Sequence, residues 1–268
     1  MRHTKRGGWP YSQPPNVQFE INHASPQSVG LVAWYPALAS RGATGLRDLA
    51  GRGLDGTFKD VGEPAWVTSG EFGSVLQFDG ADDYVAIPQF VIGVNESWTL
   101  WTRFYVSAWV NDRAGLWRGP FGTNQDYIGF RSDKVYLEDD ANIWYQIVGT
   151  GDYSLGTWHD LAIIFTAADV VAYQNGRYIG NSHRGPLVNS LTVNRLGEGY
   201  AGNAINGFIA EARVYNRIVP PSTLWQSSDR HTRYELYEPR IRRFLGWTSP
   251  GPPPVGGHMT LWGRYWGP

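Results

Sequence analysis

The stretch Phe78-Asp79-Gly80-Ala81-Asp82-Asp83-Tyr84-Val85 constrains this chain more than any other. Val75-Leu76-Gln77-Phe78 before it and Tyr84-Val85-Ala86-Ile87 after it read as short strands, the second closed by Pro88. Between them stand Gly80 and three aspartates. Gly accepts positive φ and Asp bonds its own backbone, so this link predicts a hairpin, or a corner where the chain passes between two sheets. Late in the chain a second stretch answers it, Gly207-Phe208-Ile209-Ala210-Glu211-Ala212-Arg213-Val214-Tyr215-Asn216-Arg217. Its apolar residues alternate at the period of a half-buried strand.

The remaining chain supports a β-rich reading. It has 33 Gly, 17 Pro, 13 Trp and 15 Tyr in 268 residues, a mixture of strand-favouring rings and turn residues. Short apolar runs recur between Gly, Asn and Asp turns. Among them are Trp98–Val106, Tyr127–Phe130, Ile143–Val148 and Trp158–Phe165, the last apolar enough for burial on both faces. Val170–Gln174, then Asn175-Gly176, then Arg177–Ile179 predicts a hairpin, because Asn-Gly suits a type I′ turn. Even spacing of this kind predicts an all-β antiparallel jelly-roll sandwich of two sheets.

Three segments are expected: an arm over 1–28, a jelly-roll domain over 29–222 and a tail over 223–268. The arm is rich in proline, and Val17–Ile21 reads as an edge strand. In the tail, Pro220–Trp225 opens a short helix. A basic-aromatic part follows with Arg240, Arg242, Arg243 and Phe244, then the Pro/Gly hinge 249–254, then Trp262, Tyr265 and Trp266. Rings at this density in a solvated tail point to docking onto a partner.

Bulk properties narrow the function. A net charge of −1 argues against a nucleic-acid partner, and no apolar run approaches a membrane span. The basic start runs into Gly7-Gly8-Trp9-Pro10 where a signal peptide needs an apolar core, so synthesis in a cytosol without a leader is expected. Gly197-Glu198-Gly199-Tyr200-Ala201-Gly202 fits the dinucleotide-binding spacing, but it precedes a strand, not a helix, and is read as a loop. Glu138-Asp139-Asp140 would point adjacent acids to opposite faces of a strand, so a turn is expected there instead of a hydrolytic pair. His159 has no nucleophile beside it and is read as structural. Trp117, Asn124, Tyr127, Arg131 and Trp144 offer rings and hydrogen-bonding groups of the kind that hold a sugar.

The order Leu31-Val32-Ala33-Trp34, Asp48…Gly51-Arg52-Gly53…Gly56-Thr57, Phe78-Asp79-Gly80…Asp82-Asp83-Tyr84-Val85, Trp98-Thr99-Leu100, Trp158-His159, Asn175-Gly176 and Gly207–Arg217 resembles the laminin-G-like, concanavalin A-like lectin/glucanase superfamily. The likeness covers about residues 29–222. It implies two antiparallel sheets, one concave, and a binding role without catalysis. It also implies calcium at Asp48 and Glu211, although Leu38 stands where an acid is usual and Leu54 where Asn is frequent. With its arm and tail the chain resembles lectin-like decoration or accessory proteins of tailed phages. From that likeness follow a virion-surface location, a homo-oligomer, contacts to other virion proteins through arm and tail, and a surface-glycan ligand. A free, extracellular carbohydrate-binding module is the alternative reading, and a divergent glycoside hydrolase the third.

Overall fold

The computed structural model describes residues 19–239 apart from 41–42, 61, 112, 121–125, 132–133, 140, 142, 150–152 and 199–203. Residues 1–18 of the arm, Asn124, Arg240, Arg242, Arg243, Phe244, Trp262, Tyr265 and Trp266 lie outside the described residues. Numbered in chain order, the described residues form eighteen strands and one α-helix, α1 (Pro221–Ser228). All observed pairings are antiparallel, as expected for a jelly-roll sandwich.

The first layer contains β2 (Leu31–Pro36), β5 (Ala65–Ser69), β6 (Gly73–Asp79), β8 (Trp98–Ala108), β13 (Trp158–Phe165), β14 (Val170–Gln174), β15 (Arg177–Ser182) and β17 (Asn206–Tyr215). The second contains β3 (Gly45–Leu46), β4 (Gly56–Phe58), β7 (Val85–Ile92), β9 (Arg113–Arg118), β10 (Tyr127–Arg131), β11 (Lys134–Glu138) and β16 (Leu191–Leu196). β12 (Trp144–Gly149) pairs with β11 on one side and β15 on the other, so the ladder runs on from layer to layer. Its order is β3-β4-β7-β16-β9-β10-β11-β12-β15-β14-β13-β8-β17-β6-β5, with β2 also on β17.

The aspartate-rich link is the corner, not a hairpin. β6 pairs with β17 in the first layer, whereas β7 pairs with β4 and β16 in the second. The turn uses its acids as their chemistry dictates. Asp83 Oδ2 accepts the Asp79 N–H at 2.9 Å, Asp79 Oδ1 accepts the Ala81 N–H at 2.7 Å, and Gly80 sits at φ +86°. Asp79 and Asp82 face solvent, but Asp83 is buried.

Two apolar clusters hold the fold. The larger fills the space between layers and includes Phe78, Val85, Phe104, Trp117, Ile128, Phe130, Tyr145 and Val214. The smaller covers the outside of the first layer with Phe19, Trp34, Trp101, Ile164, Leu224, Tyr234, Leu236 and Tyr237. β13 shows why both exist. Its Leu161, Ile163 and Phe165 enter the inner cluster, while Ala162 and Ile164 enter the outer one, as its apolar run predicts.

That outer cluster needs the chain's two ends. β1 (Phe19–Ile21) pairs with β18 (Tyr237–Pro239), and Phe19, Tyr237 and Trp34 pack ring to ring, centroids 4.6 to 6.0 Å apart. Pro221 at the first helical position suits the start of α1, as the sequence predicts. The packed unit therefore extends past 29–222, with 19–28 and 223–239 folded onto the chain's own sandwich.

Beneath these rings lies an ion network. Glu211 Oε1 accepts from the Trp34 indole N–H and the Arg213 Nε–H, both at 2.6 Å, and Oε2 accepts the Tyr237 hydroxyl at 3.0 Å. Arg213 Nη1 donates to Gln27 Oε1 at 2.7 Å and to Ser227 Oγ at 3.0 Å. Burial alone would lower the Arg213 pKa, but the Glu211 carboxylate outweighs it and raises it above its ordinary value. One guanidinium thus ties together β17, the 3-10 turn Pro26–Ser28 and α1.

Removing one partner of a buried pair strands the other charge, at a cost of about 3–5 kcal/mol. Arg213→Ala is expected to lose that much in urea unfolding; a loss below about 1 kcal/mol would show that the network anchors little. At Gly207 a Cβ would stand 1.9 Å from the Tyr105 carbonyl oxygen across the β17–β8 pair. Gly207→Ala is therefore expected to destabilise by about 1–3 kcal/mol or more, and an unchanged urea midpoint would show that this crossing can open without strain.

Candidate ligand-binding face

On the outer surface of the second layer, strand register sets one row of side chains across five strands. Arg195 lies opposite Arg118, Arg118 opposite Tyr127, Tyr127 opposite Glu138, and Glu138 opposite Trp144. Their chain neighbours Leu196, Trp117, Ile128, Leu137 and Tyr145 all enter the inner cluster, so the row faces out.

The row is polar at one end and aromatic at the other. Glu198 accepts from Arg118 and Arg195, each at 2.8 Å, and Arg195 stacks over the Tyr84 ring at 4.6 Å. At the aromatic end Trp144 meets Tyr127 and Tyr136 edge-on, with centroids 6.4 and 6.2 Å apart. Trp144 and Tyr136 are half-buried, whereas Tyr127 is 2% exposed. The Tyr127 hydroxyl donates to the Phe130 carbonyl at 3.0 Å, with the Ala114 carbonyl a second acceptor at 3.3 Å. Gly129 permits this, since a Cβ there would lie 2.4 Å from that hydroxyl. Arg118, Glu138 and Glu198 are buried, so on this face the half-open rings of Trp144 and Tyr136 are what offer a polyhydroxylated ligand a flat apolar support, with the half-buried Arg195 at the far end of the row.

The structure brings some of the expected sugar-binding residues together and separates others. Tyr127 and Trp144 are neighbours in the row, and Arg131 is exposed on β10 opposite Lys134. Trp117 is corrected. Its ring is in the inner cluster and its indole N–H donates to Thr102 Oγ1 at 2.8 Å, so it packs the core and does not meet a ligand on this face. Tyr127 is also buried and meets a ligand no more than Trp117 does, its ring edge-on to Trp144. Glu138 ends β11, and Asp139 makes the expected turn, its carboxylate accepting the N–H groups of Ala141 and Ile143 at 3.1 Å and the Tyr145 hydroxyl at 2.7 Å. The sequence reading missed Tyr136 and the Arg118–Glu198–Arg195 bridge. Alternation over Lys134–Glu138 was a signal for Tyr136; nothing local signals a bridge between residues eighty positions apart.

Asp48 and Glu211 do not form a shared cation site. Asp48 accepts backbone N–H groups from Trp34, Ala50, Arg52 and Leu54 at 2.9 to 3.3 Å, binding its own loop to β2. Glu211 holds the network under the outer cluster. Calcium takes six to eight oxygens, and here donors already face both carboxylates, so these residues do not fit the ion. Glu63, Asp82 and Asp83 bring carboxylates within 4.8 Å of one another, with the Lys59 ammonium on Asp82 as a built-in counter-charge. His159 is structural as expected: Nε2 pairs with Thr157 Oγ1 at 2.9 Å and Nδ1 with Gln174 at 3.1 Å.

Known structures share this fold. Domain 4 of AbnA, a GH43 extracellular arabinanase from Geobacillus stearothermophilus solved with arabinotriose, superposes with a TM-score of 0.58 at 18% identity, over 74% of this chain and 98% of that one. The binding domain of Paraclostridial Mosquitocidal Protein 1 gives 0.55 at 14% identity, over 74% and 52%. Trypanosoma rangeli sialidase with the inhibitor DANA gives 0.51 at 16%, over 75% of this chain but only 33% of the enzyme. At these identities the likeness is one of fold. A search of the curated proteins finds no match to the sequence. The family model of the concanavalin A-like lectin/glucanases matches residues 79–224, more than half of the chain, and with the two-layer fold it places this protein in the concanavalin A-like lectin/glucanases superfamily.

Proposed function

We propose that the chain is a non-catalytic carbohydrate-binding module that receives a glycan on the outer face of the second layer. The observation that carries this is the aromatic end of the cross-strand row, where the half-buried rings of Trp144 and Tyr136 meet edge-on on the outward side of β11 and β12. A sugar ring stacks its C–H face on an indole, and its hydroxyls suit planar groups held in place beforehand. The arabinanase domain of the same fold, solved with arabinotriose, supports the choice of ligand class. Hydrolysis asks for two carboxyl groups free to act across one bond. Glu198, beside the row, is buried and has both oxygens engaged by arginines, which supports binding over turnover.

Titration of arabino-, xylo- and cello-oligosaccharides by calorimetry tests this reading. Trp144→Ala is expected to weaken the best ligand about tenfold, the effect of about 1.4 kcal/mol, with no reducing ends released by the unmodified protein. Binding equal to that of the unmodified chain would remove this face as the site, and steady release of reducing ends would restore the hydrolase reading. Calcium added to chelator-treated protein is expected to leave Tm unchanged; a rise of several degrees would place a cation where N–H donors now point.

A second reading, in which the module is displayed on a virion or similar assembly, is favoured by where the ends leave. Phe19 pairs with Pro239, so the first and last described residues lie side by side, and one partner surface near them would be in reach of both ends of the described unit. Light scattering of the full chain beside a 19–239 truncation tests it. A defined oligomer only for the full chain supports docking through the ends, and a monomer in both cases counts against self-assembly.

A further inference from the structure

We infer a second carbohydrate site, separate from the row, in the cleft between the β14–β15 turn and α1. The cleft has a volume of about 740 Å3, within the roughly 300–1,000 Å3 of small-molecule sites. It uses β13, β14, β15 and α1, none of which contributes to the row.

Its rim carries the two large rings that the fold leaves most open near one another. Trp225 on α1 is 49% exposed and Tyr178 on β15 is 56% exposed, whereas the other tryptophans and tyrosines among the described residues are mostly packed. Among the described residues the Trp225 indole N–H has no acceptor and the Arg177 guanidinium has no hydrogen-bond or ion partner. Opposite in character, Asp229 has one carboxylate oxygen on the His231 N–H at 2.7 Å and the other without a donor among the described residues. The cleft therefore offers two apolar platforms, a five-donor fork and an acceptor, with one positive and one negative group. Charge balance of this kind suits a neutral sugar, whose vicinal hydroxyls both donate and accept, better than an anion, which Asp229 would repel.

The cleft is also built, not incidental. Its two walls are fastened to one buried ion pair. Arg103 donates to both oxygens of Asp160 at 2.7 and 2.8 Å and, from Nη2, to the Ser227 carbonyl of α1 at 2.6 Å. Asp160 in turn exchanges backbone contacts with the turn: its N–H donates to Asn175 Oδ1 at 2.8 Å, and the Asn175 N–H donates to its carbonyl at 2.9 Å. Asn175 and Gly176 at φ +50° and +75° give the turn predicted from their sequence. That turn rests directly on the helix, since a Cβ on Gly176 would lie 2.5 Å from the Trp225 Cα. Arg177 and Tyr178 follow at once. Trp225 and Tyr178 are thus held on opposite walls by a rigid connection, so little ordering is left for a ligand to impose.

The ligand class is a neutral oligosaccharide, stacked on Trp225 and Tyr178 and hydrogen-bonded through Arg177 and Asp229. The test is titration of the full chain with cello-, xylo- and malto-hexaose, read by tryptophan fluorescence and calorimetry. It compares the unmodified protein with Trp144→Ala, Trp225→Ala and Arg177→Met. Both cleft substitutions alter exposed side chains and leave the packed clusters intact. The expected result is binding of at least one probe that persists in Trp144→Ala and falls about tenfold or more in Trp225→Ala and several-fold in Arg177→Met. Undiminished binding of every probe by Trp225→Ala and Arg177→Met would overturn the proposal, and so would the absence of any binding to Trp144→Ala at millimolar probe. Loss of binding in Trp144→Ala alone would uphold the row and remove the cleft, so the two sites fail separately.

Discussion

Glu211 and Arg213 face the same side of β17, two residues apart, and much of the molecule is arranged around their charges. The strand is flanked by β2, β6 and β8, so its outward residues stand at the middle of a sheet face that would be wet if nothing covered it. A carboxylate and a guanidinium there need both each other and further polar partners once water is excluded. Those partners come from far away in sequence: Trp34 and Tyr237 for the carboxylate, Gln27 and Ser227 for the guanidinium. Covering the face and satisfying the ions are therefore one event. The Trp101 ring, 4.4 Å from the Arg213 guanidinium carbon, completes the enclosure.

This arrangement decides which surfaces remain for function. A sandwich of two layers has two outer faces. One is closed by residues 19–28 and 221–239, which makes the segments flanking the jelly roll part of its stability. The other, on the second layer, keeps the rings of Trp144 and Tyr136 half-open at its surface. The same ionic layer that closes the first face also extends to its rim through Arg103 and Asp160, and there it fixes α1 against the β14–β15 turn. The proposed row and the proposed cleft thus differ in origin: the first follows from strand register alone, the second from the way the C-terminal helix is fastened to the sheet.

Local chemistry was a sound guide to elements. The aspartate link, the Asn175-Gly176 turn and the proline-started helix all act within a few residues, so their signals are complete in a short window. The alternation read over Gly207–Tyr215 is corrected: at a register shift between Ile209 and Glu211 the strand changes face, so that Phe208 and Ala210 pack in the outer cluster, Ala212 and Val214 in the inner one, and both faces are covered. Asp48 as a loop-former and Glu211 as a partner of Arg213 were likewise readable as alternatives to a metal. Ring placement was not. Trp117 and Trp144 look alike as aromatic residues in short strands. Trp117 is inside together with its chain neighbour Leu116, where a register shift interrupts the pairing of β9 with β10, and Trp144 lies half-open on β12. The Arg118–Glu198 pair spans eighty residues, and Trp225 becomes a cleft wall only when α1 lies on the turn.

The sequence by itself determined the all-β class, a turn at the aspartate link, the principal hairpin and the family to which the chain belongs. These depend on backbone preferences and on apolar period, which are properties of neighbouring residues. Tertiary structure alone decided where the packed unit ends, that the aspartate link is a corner, which rings are core and which are surface, and how Glu211 became an internal ion partner while Asp48 was taken up by backbone N–H groups. Those outcomes depend on which distant segments exclude water from a given side chain, and burial is a property of the assembled fold that no local stretch of residues carries.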